Sequence, residues 1–113
     1  MKSFNNALSG IIFALKKERN MKFHFCAALI VLILSFFYRL SKVELTIVCL
    51  TVGLVIICEL FNTAVEMIMD ILVDVYHPKV KKIKDIAAGA VLVSAIVSLI
   101  VGYFVFIEKL WHL

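Results

Sequence analysis

The sequence predicts an all-α membrane protein, with a surface helix followed by three transmembrane helices. Of its 113 residues, 64% are hydrophobic, and the mean hydropathy is +1.07, whereas soluble domains are nearer half apolar. The apolar residues also gather into three long runs, each long enough to cross a bilayer. The chain shows no tandem repeat, low-complexity tract or linker, so we predict a single domain spanning residues 1–113.

The N-terminal segment, residues 4–19, is predicted to be an amphipathic helix lying flat at the membrane interface. The apolar residues of one face recur at helical spacing and are Phe4, Leu8, Ile11, Ile12 and Leu15. Glu18 follows Leu15 by three residues. On a continuous helix it would therefore continue the apolar face, where a carboxylate is unexpected.

The three apolar runs predict membrane spans over residues 22–40, 43–72 and 85–107. The second run is longer than a bilayer requires, so its C-terminal part should project from the lipid or lie in a polar crevice. The segment "YHPKVKKIKD", residues 76–85, is predicted to be a short polar loop. Lys84 and Asp85 would then open the third helix, whose first N–H groups would add to an anion site.

The third span has small residues at every fourth position. This spacing lets helix backbones approach closely, so helix packing is its predicted role. The residues that form this small-residue stripe are Ala90, Ser94, Ser98 and Gly102.

The basic residues predict the orientation of the chain in the membrane. The formal net charge is +4, and most Lys and Arg residues lie in the N-terminal 22 residues or between the second and third spans. The positive-inside rule places both of these segments in the cytoplasm, with the C-terminus outside. Nucleic-acid binding is disfavoured, because the basic residues flank apolar spans and form no patch with interleaved aromatic residues.

The second span carries an acidic stripe within "CELFNTAVEMIMD", residues 58–70. Glu59, Asn62, Glu66 and Asp70 fall within about 80° of arc on a helix. A charge in the bilayer is costly unless it is paired or hydrated, and neighbouring carboxylates repel each other. A divalent cation would remove both problems, and carboxylate-rich, sulfur-free surroundings suit Mg²⁺.

Other interpretations of the acidic stripe remain open at this point. A solvated helix end would explain Asp70 and Asp74 better than Glu59, because Glu59 follows fourteen residues without a charge. An ion conductor would need acids spread through the membrane depth, whereas these acids cluster at one end. A non-catalytic oligomeric scaffold would tolerate neutral residues throughout the stripe. The three histidines, His24, His77 and His112, are assigned no chemistry.

Two motifs within this sequence resemble the prokaryotic diacylglycerol kinase family of small integral membrane lipid kinases. "ELFNTAVEMIMD" (59–70) contains the E-x-x-N-x-x-x-E pattern of that family, met by Glu59, Asn62 and Glu66. "KDIAAGAVLVSAIV" (84–97) carries its Lys-Asp pair before a small-residue helix. The upstream "FNNALSGIIFALKKERNMKFH" (4–24) resembles the surface helix of the family, which ends in a site glutamate. The similarity covers nearly the whole chain.

The resemblance implies the activity and the roles of individual residues. It implies a homotrimer with active sites shared between subunits, which moves the γ-phosphate of ATP to a lipid hydroxyl. Glu59 would be the general base and would approach the lipid, with Asp70 as a weaker lipid contact. Glu18 and Glu66 would hold Mg²⁺ on the nucleotide phosphates. Asn62, Lys84 and Asp85 would support the base, the phosphates and the nucleotide.

The resemblance also bears on the lipid acceptor and on the location of the protein. The chain starts almost directly at its surface helix, as in the short branch of the family, which is associated with undecaprenol kinase activity. The longer branch prefers diacylglycerol. We therefore expect undecaprenol as the acceptor, with diacylglycerol as the alternative, in the cytoplasmic membrane of a bacterium.

Overall fold

The computed structural model describes residues 2–73, 75 and 77–111, and within these residues it contains helices and no strand. In chain order they are α1 (Lys2–Lys17), α2 (Arg19–Phe37), α3 (Lys42–Leu72), α4 (Pro78–Gly102), a π-helical turn (Tyr103–Ile107) and α5 (Glu108–Trp111). The predicted all-α fold is confirmed.

Three helical segments of the described chain are long and apolar enough to cross a membrane. They are Arg19–Phe37, Lys42–Leu72 and Pro78–Trp111, the last being α4 continued through the π-helical turn and α5. With the shorter α1 before them, they make the chain a multi-pass membrane protein. The prediction of one N-terminal helix and three membrane spans is therefore confirmed.

The junction between α1 and α2 differs from the prediction. Helix α1 ends at Lys17, and Glu18 has an extended backbone with φ −104° and ψ 125°. The prediction that Glu18 continues the apolar face of the surface helix is therefore wrong. The physical reason is the change of direction between α1 and α2, which a single extended residue provides.

The turn between α2 and α3 is closed by local hydrogen bonds. Arg39 has a φ of 53°, in the left-handed region that often terminates helices, and the Leu40 N–H donates to the Ser35 carbonyl at 3.1 Å. A capping box then starts α3. The Glu44 N–H donates to Ser41 Oγ at 3.2 Å, and the Ser41 N–H donates to Glu44 Oε1 at 2.8 Å. This short connection makes α2 and α3 antiparallel neighbours.

Helix α4 begins earlier than predicted. It starts at Pro78, whose missing N–H suits the first helical position, and His77 Nδ1 caps it by accepting the Lys79 N–H at 3.1 Å. The predicted polar loop is therefore wrong from residue 78 onward. Lys84 and Asp85 lie beyond the first turn of α4, so their N–H groups belong to the helix interior. The expected anion site at helix-opening N–H groups is wrong for this reason.

Helix α3 is the central element of the chain. It makes its most extensive contacts with α4, fewer with α2, and a small number with α1. In the small-residue stripe of α4, Ser94 is buried, Ser98 and Gly102 are half-buried and Ala90 is exposed. The largest fully buried side chains are Met21 on α2 and Glu59 on α3. A carboxylate thus occupies one of the most enclosed positions of a chain whose surface is mostly apolar.

Candidate active site

Three polar residues of α3 are buried next to one another. Glu59, Asn62 and Thr63 are exposed to only 1%, 7% and 3%. The Thr63 hydroxyl donates to the backbone carbonyl of Glu59 at 3.0 Å, which satisfies Thr63 and leaves the Glu59 carboxylate to find other partners. Burying a carboxylate costs several kcal/mol or more unless it is paired. This part of α3 is thus built at a cost to stability, as functional sites often are.

His24 on α2 is the close neighbour of the Glu59 carboxylate. Its Nε2 lies 3.7 Å from Glu59 Oε2, and the His24 side chain is itself only 16% exposed. Sequence reasoning missed this residue, because a lone histidine near a helix start has no periodic signal. His24 lies 13 residues before the last residue of α2 and Glu59 lies 17 residues after the first residue of α3, so counting from the turn places the two within about one helical turn of each other.

Asn62 presents an unused acceptor at the same site. Its Nδ2 donates to Glu66 Oε1 at 3.5 Å, a long hydrogen bond. Its Oδ1 is buried with no hydrogen-bond partner, and among the described residues it is the only buried side-chain polar atom in that condition. Since buried polar atoms are nearly always satisfied, this oxygen is a place where a ligand would gain an interaction.

Glu66 is the point at which the predicted site residues converge. Its carboxylate is repelled by Glu18 and by Glu59, and attracted by Lys84. Glu18 comes from the α1–α2 junction, Glu59 lies about two turns before Glu66 on α3, and Lys84 comes from α4. The structure thus brings five of the predicted site residues, Asn62 among them, to one region of a single chain.

The remaining predicted residues lie at the adjoining ends of α3 and α4. Lys84 Nζ pairs with Asp70 Oδ1 at 2.6 Å, so Lys84 of α4 reaches the last residue of the acidic stripe on α3. Asp85 pairs with Lys81 at 2.7 Å and is exposed. An open cavity of about 460 Å³ separates these helix ends and is lined by Asp70, Val73, Val75, His77, Val80, Lys81, Lys84 and Asp85.

The donor set fits a metal ion that arrives with a nucleotide. Within the described part of the chain, no group of three or more His, Cys, Asp or Glu residues could hold an ion by itself. Glu18 and Glu66 nevertheless lie near enough for their carboxylates to repel each other, and the buried Asn62 Oδ1, four residues before Glu66, has no partner. Mg²⁺ usually takes one or two carboxylates, with phosphate and water oxygens completing its shell. These candidate ligands are all oxygen atoms and are too few to fill the coordination shell, which fits the preference of Mg²⁺.

The fold and the site define a multi-pass membrane protein in which carboxylates of α3 and of the α1–α2 junction lie near one another. Residues 5–106 match the family model described as prokaryotic diacylglycerol kinase. Because the match covers most of the chain, this protein belongs to the prokaryotic diacylglycerol kinase family. The family predicted from the motifs is confirmed.

Two curated relatives are similar over most of this chain. The undecaprenol kinase of Bacillus subtilis is 45% identical over 109 residues, which cover 96% of this chain and 89% of the relative. The diacylglycerol kinase of Synechocystis sp. is 39% identical over 101 residues, which cover 88% of this chain but 58% of the relative. The protein is a lipid kinase, an enzyme that uses ATP to phosphorylate a lipid.

Proposed function

We propose that this lipid kinase transfers the γ-phosphate of ATP to the hydroxyl of undecaprenol. The observation that carries the proposal is the 45% identity to an undecaprenol kinase over 96% of the chain. Diacylglycerol is the second candidate acceptor, because a diacylglycerol kinase is 39% identical to this chain. Both acceptors are primary alcohols held in the membrane, so the same site could phosphorylate either.

Glu59 is the proposed general base. It is almost completely buried and lies seven residues before Glu66 on α3, about 10 Å deeper along the helix. A lipid hydroxyl is anchored by its apolar tail at such a depth, whereas the nucleotide arrives from water. The hydroxyl proton would pass to Glu59 as the hydroxyl oxygen attacks the γ-phosphorus.

Glu18 and Glu66 are the proposed metal ligands. Bound Mg²⁺ would neutralise charge on the transferred phosphate, which is the main requirement of phosphoryl transfer. Asn62 would add its open oxygen to the positioning of substrate, and Lys84 would attract the phosphates. Asp85 is proposed to support the nucleotide, and Asp70 remains a weaker candidate contact for the lipid through its ion pair with Lys84.

The proposal includes the assembly and its location. We place the protein in the cytoplasmic membrane of a bacterium, with the N-terminus and the segment between α3 and α4 in the cytoplasm, where the lysines cluster. ATP is then supplied on the side where Glu18 and Glu66 lie. A homotrimer is proposed on the family resemblance, and the large apolar side chains that one copy leaves exposed are available for contacts with neighbouring subunits as well as with lipid.

A competition assay tests the acceptor. Purified protein in mixed micelles receives Mg-ATP labelled at the γ-phosphate, with undecaprenol and diacylglycerol in equal amounts. We expect the label mainly on undecaprenol, and label mainly on diacylglycerol would overturn that preference. Glu59→Gln serves as the control for the base, and we expect it to lower transfer to both lipids by roughly a hundredfold or more.

A further inference from the structure

The side chain closest to the Glu59 carboxylate, His24, indicates how the proposed base is held in position. Among the described residues, no side chain or backbone group donates a hydrogen bond to the Glu59 carboxylate, and His24 is the ionisable group within 4 Å of it. We infer that His24 is a positioning residue, whose Nε2–H holds Glu59 Oε2 and leaves Oε1 to accept the proton of the lipid hydroxyl. The inference rests on the proposed role of Glu59 as the base.

The helix register supports a specific pairing rather than a chance contact. From Glu18 to His24 the chain advances six residues, or about 9 Å along a helix. From Glu66 back to Glu59 it covers seven residues, or about 10 Å. Helices α2 and α3 run antiparallel. The spacing from Glu18 to His24 on one helix therefore nearly equals the spacing from Glu66 to Glu59 on the other, so the two pairs can lie opposite each other. One helix pair therefore aligns both the proposed metal ligands and the base with its partner.

The distance between the two side chains suits a contact that tightens when substrate binds. At 3.7 Å the nitrogen and oxygen atoms are farther apart than in a hydrogen bond, which is usually no longer than about 3.2 Å. They are too close for a water molecule to stand between them. A shift of roughly half an ångström would complete the bond, and catalytic hydrogen bonds are often long before substrate binds.

The proposed contact is compatible with the proton and electron transfers of the phosphoryl-transfer step. As the lipid oxygen bonds to the γ-phosphorus, its proton moves to Glu59 Oε1. The bond from the γ-phosphorus to the bridging oxygen of ADP breaks, and its electron pair leaves on ADP. His24 keeps its own proton throughout, so its contribution is to fix the carboxylate rather than to exchange protons.

Three substitutions at one position separate this role from simple packing. His24→Gln places an amide N–H near the position of Nε2, whereas the shorter His24→Asn cannot reach Glu59. His24→Phe keeps the ring volume and removes the donor. We expect kcat to fall by about tenfold or more in His24→Asn and His24→Phe, with the KM for Mg-ATP changed little, and His24→Gln to retain the largest share of kcat.

Thermal unfolding of each variant in the same micelles provides the control for folding, and unfolding midpoints that are similar among the variants are expected. If His24→Phe retains kcat while His24→Gln loses it, the side chain only packs and the inference is overturned. Equal kcat values in all three variants and the unsubstituted protein would overturn it as well.

A double variant gives a second, independent measurement. Adding His24→Asn to Glu59→Gln should cause little further loss, because His24 acts through Glu59. A full additional loss would overturn the inference. If the unsubstituted protein phosphorylates neither lipid, the proposed acceptors fail. If it does so but Glu59→Gln is fully active, the proposed base fails, and both results are distinct from failure of the His24 contact.

Discussion

At the scale of single residues, the candidate site is marked by buried polar groups that lower the stability of the folded chain. Glu59 is buried without a hydrogen-bond donor among the described residues, and Asn62 keeps a buried oxygen unpaired. Thr63, between them, is satisfied by the backbone. A buried oxygen left unpaired, as Asn62 Oδ1 is, costs about 1–3 kcal/mol relative to a paired one. Bound substrates that supply these interactions would recover that cost.

The first prediction concerns the proposed metal ligands. We expect Glu66→Gln to lower kcat/KM for Mg-ATP by roughly a hundredfold or more, because a bound metal supplies several kcal/mol of charge stabilisation. Glu18→Gln should act in the same direction. The measurement is the rate of γ-phosphate transfer at a series of Mg²⁺ concentrations, and the concentration needed for half-maximal rate should rise in both variants.

The matched control for these variants is Glu44→Gln. Glu44 lies at the other end of α3, where it completes the capping box and pairs with Lys109 at 3.0 Å. Glutamine can preserve the capping box, so this change removes a carboxylate from the same helix far from the site. An unchanged Mg²⁺ dependence in Glu66→Gln would contradict the assignment.

At the scale of helices, the packing of α4 on α3 holds Lys84 near the acidic residues. The small-residue stripe predicted close packing, and the structure shows which of its members are enclosed. Ser94 is 2% exposed and its hydroxyl donates to the Val91 carbonyl at 2.7 Å, whereas Ala90 is exposed. The periodicity of small residues therefore identified the face of α4 that contains buried positions. The packing of the neighbouring helices determined which residues of that face are buried.

The second prediction tests this interface. Ser94→Leu should destabilise the protein by about 1–3 kcal/mol, because a larger side chain overpacks a closed contact. Val93→Leu, at the exposed neighbouring position, is the control and should change stability little. Thermal or denaturant unfolding in micelles measures both, and equal stability of the two variants would show that α4 can move away from α3 without cost.

At the scale of the whole molecule, one chain holds most of the site but only a small core. Glu18, Glu59, Asn62, Glu66 and Lys84 come together within a single copy, whereas Asp85 is turned outward to Lys81. Large apolar side chains cover all three spans, including Phe36, Leu50 and Leu99, which are mostly exposed. Lipid and neighbouring subunits are the surroundings available to such surfaces.

The third prediction distinguishes self-contained sites from shared ones. We expect the protein to be a trimer when cross-linked in micelles. We also expect mixtures of inactive Glu66→Gln and Asp85→Asn subunits to regain activity, in about a quarter of the sites if neighbouring subunits associate at random. Each variant refolded alone is the control. A monomer, or mixtures that stay inactive, would show that each chain builds its own site.

The sequence by itself determined the membrane class, the three spans and the acidic stripe of α3. These follow from local rules: apolar run length, helical periodicity and the positions of charged residues. It also indicated the family, through motifs that lie within single helices. The start of α4 at Pro78 was not predicted, because a lysine-rich segment has the composition of a loop. A Pro at the first helical position and a capping His before it can nevertheless start a helix there.

Only the tertiary structure decided which residues meet. Contacts between His24 and Glu59, and between Lys84 and Asp70, join residues far apart in sequence, and no local pattern encodes the register of one helix against another. The extended backbone at Glu18 is decided in the same way, since it depends on the direction in which α2 leaves α1. Distance along the chain fixes the spacing within a helix, but the partner of a buried charge is chosen by the packing between helices.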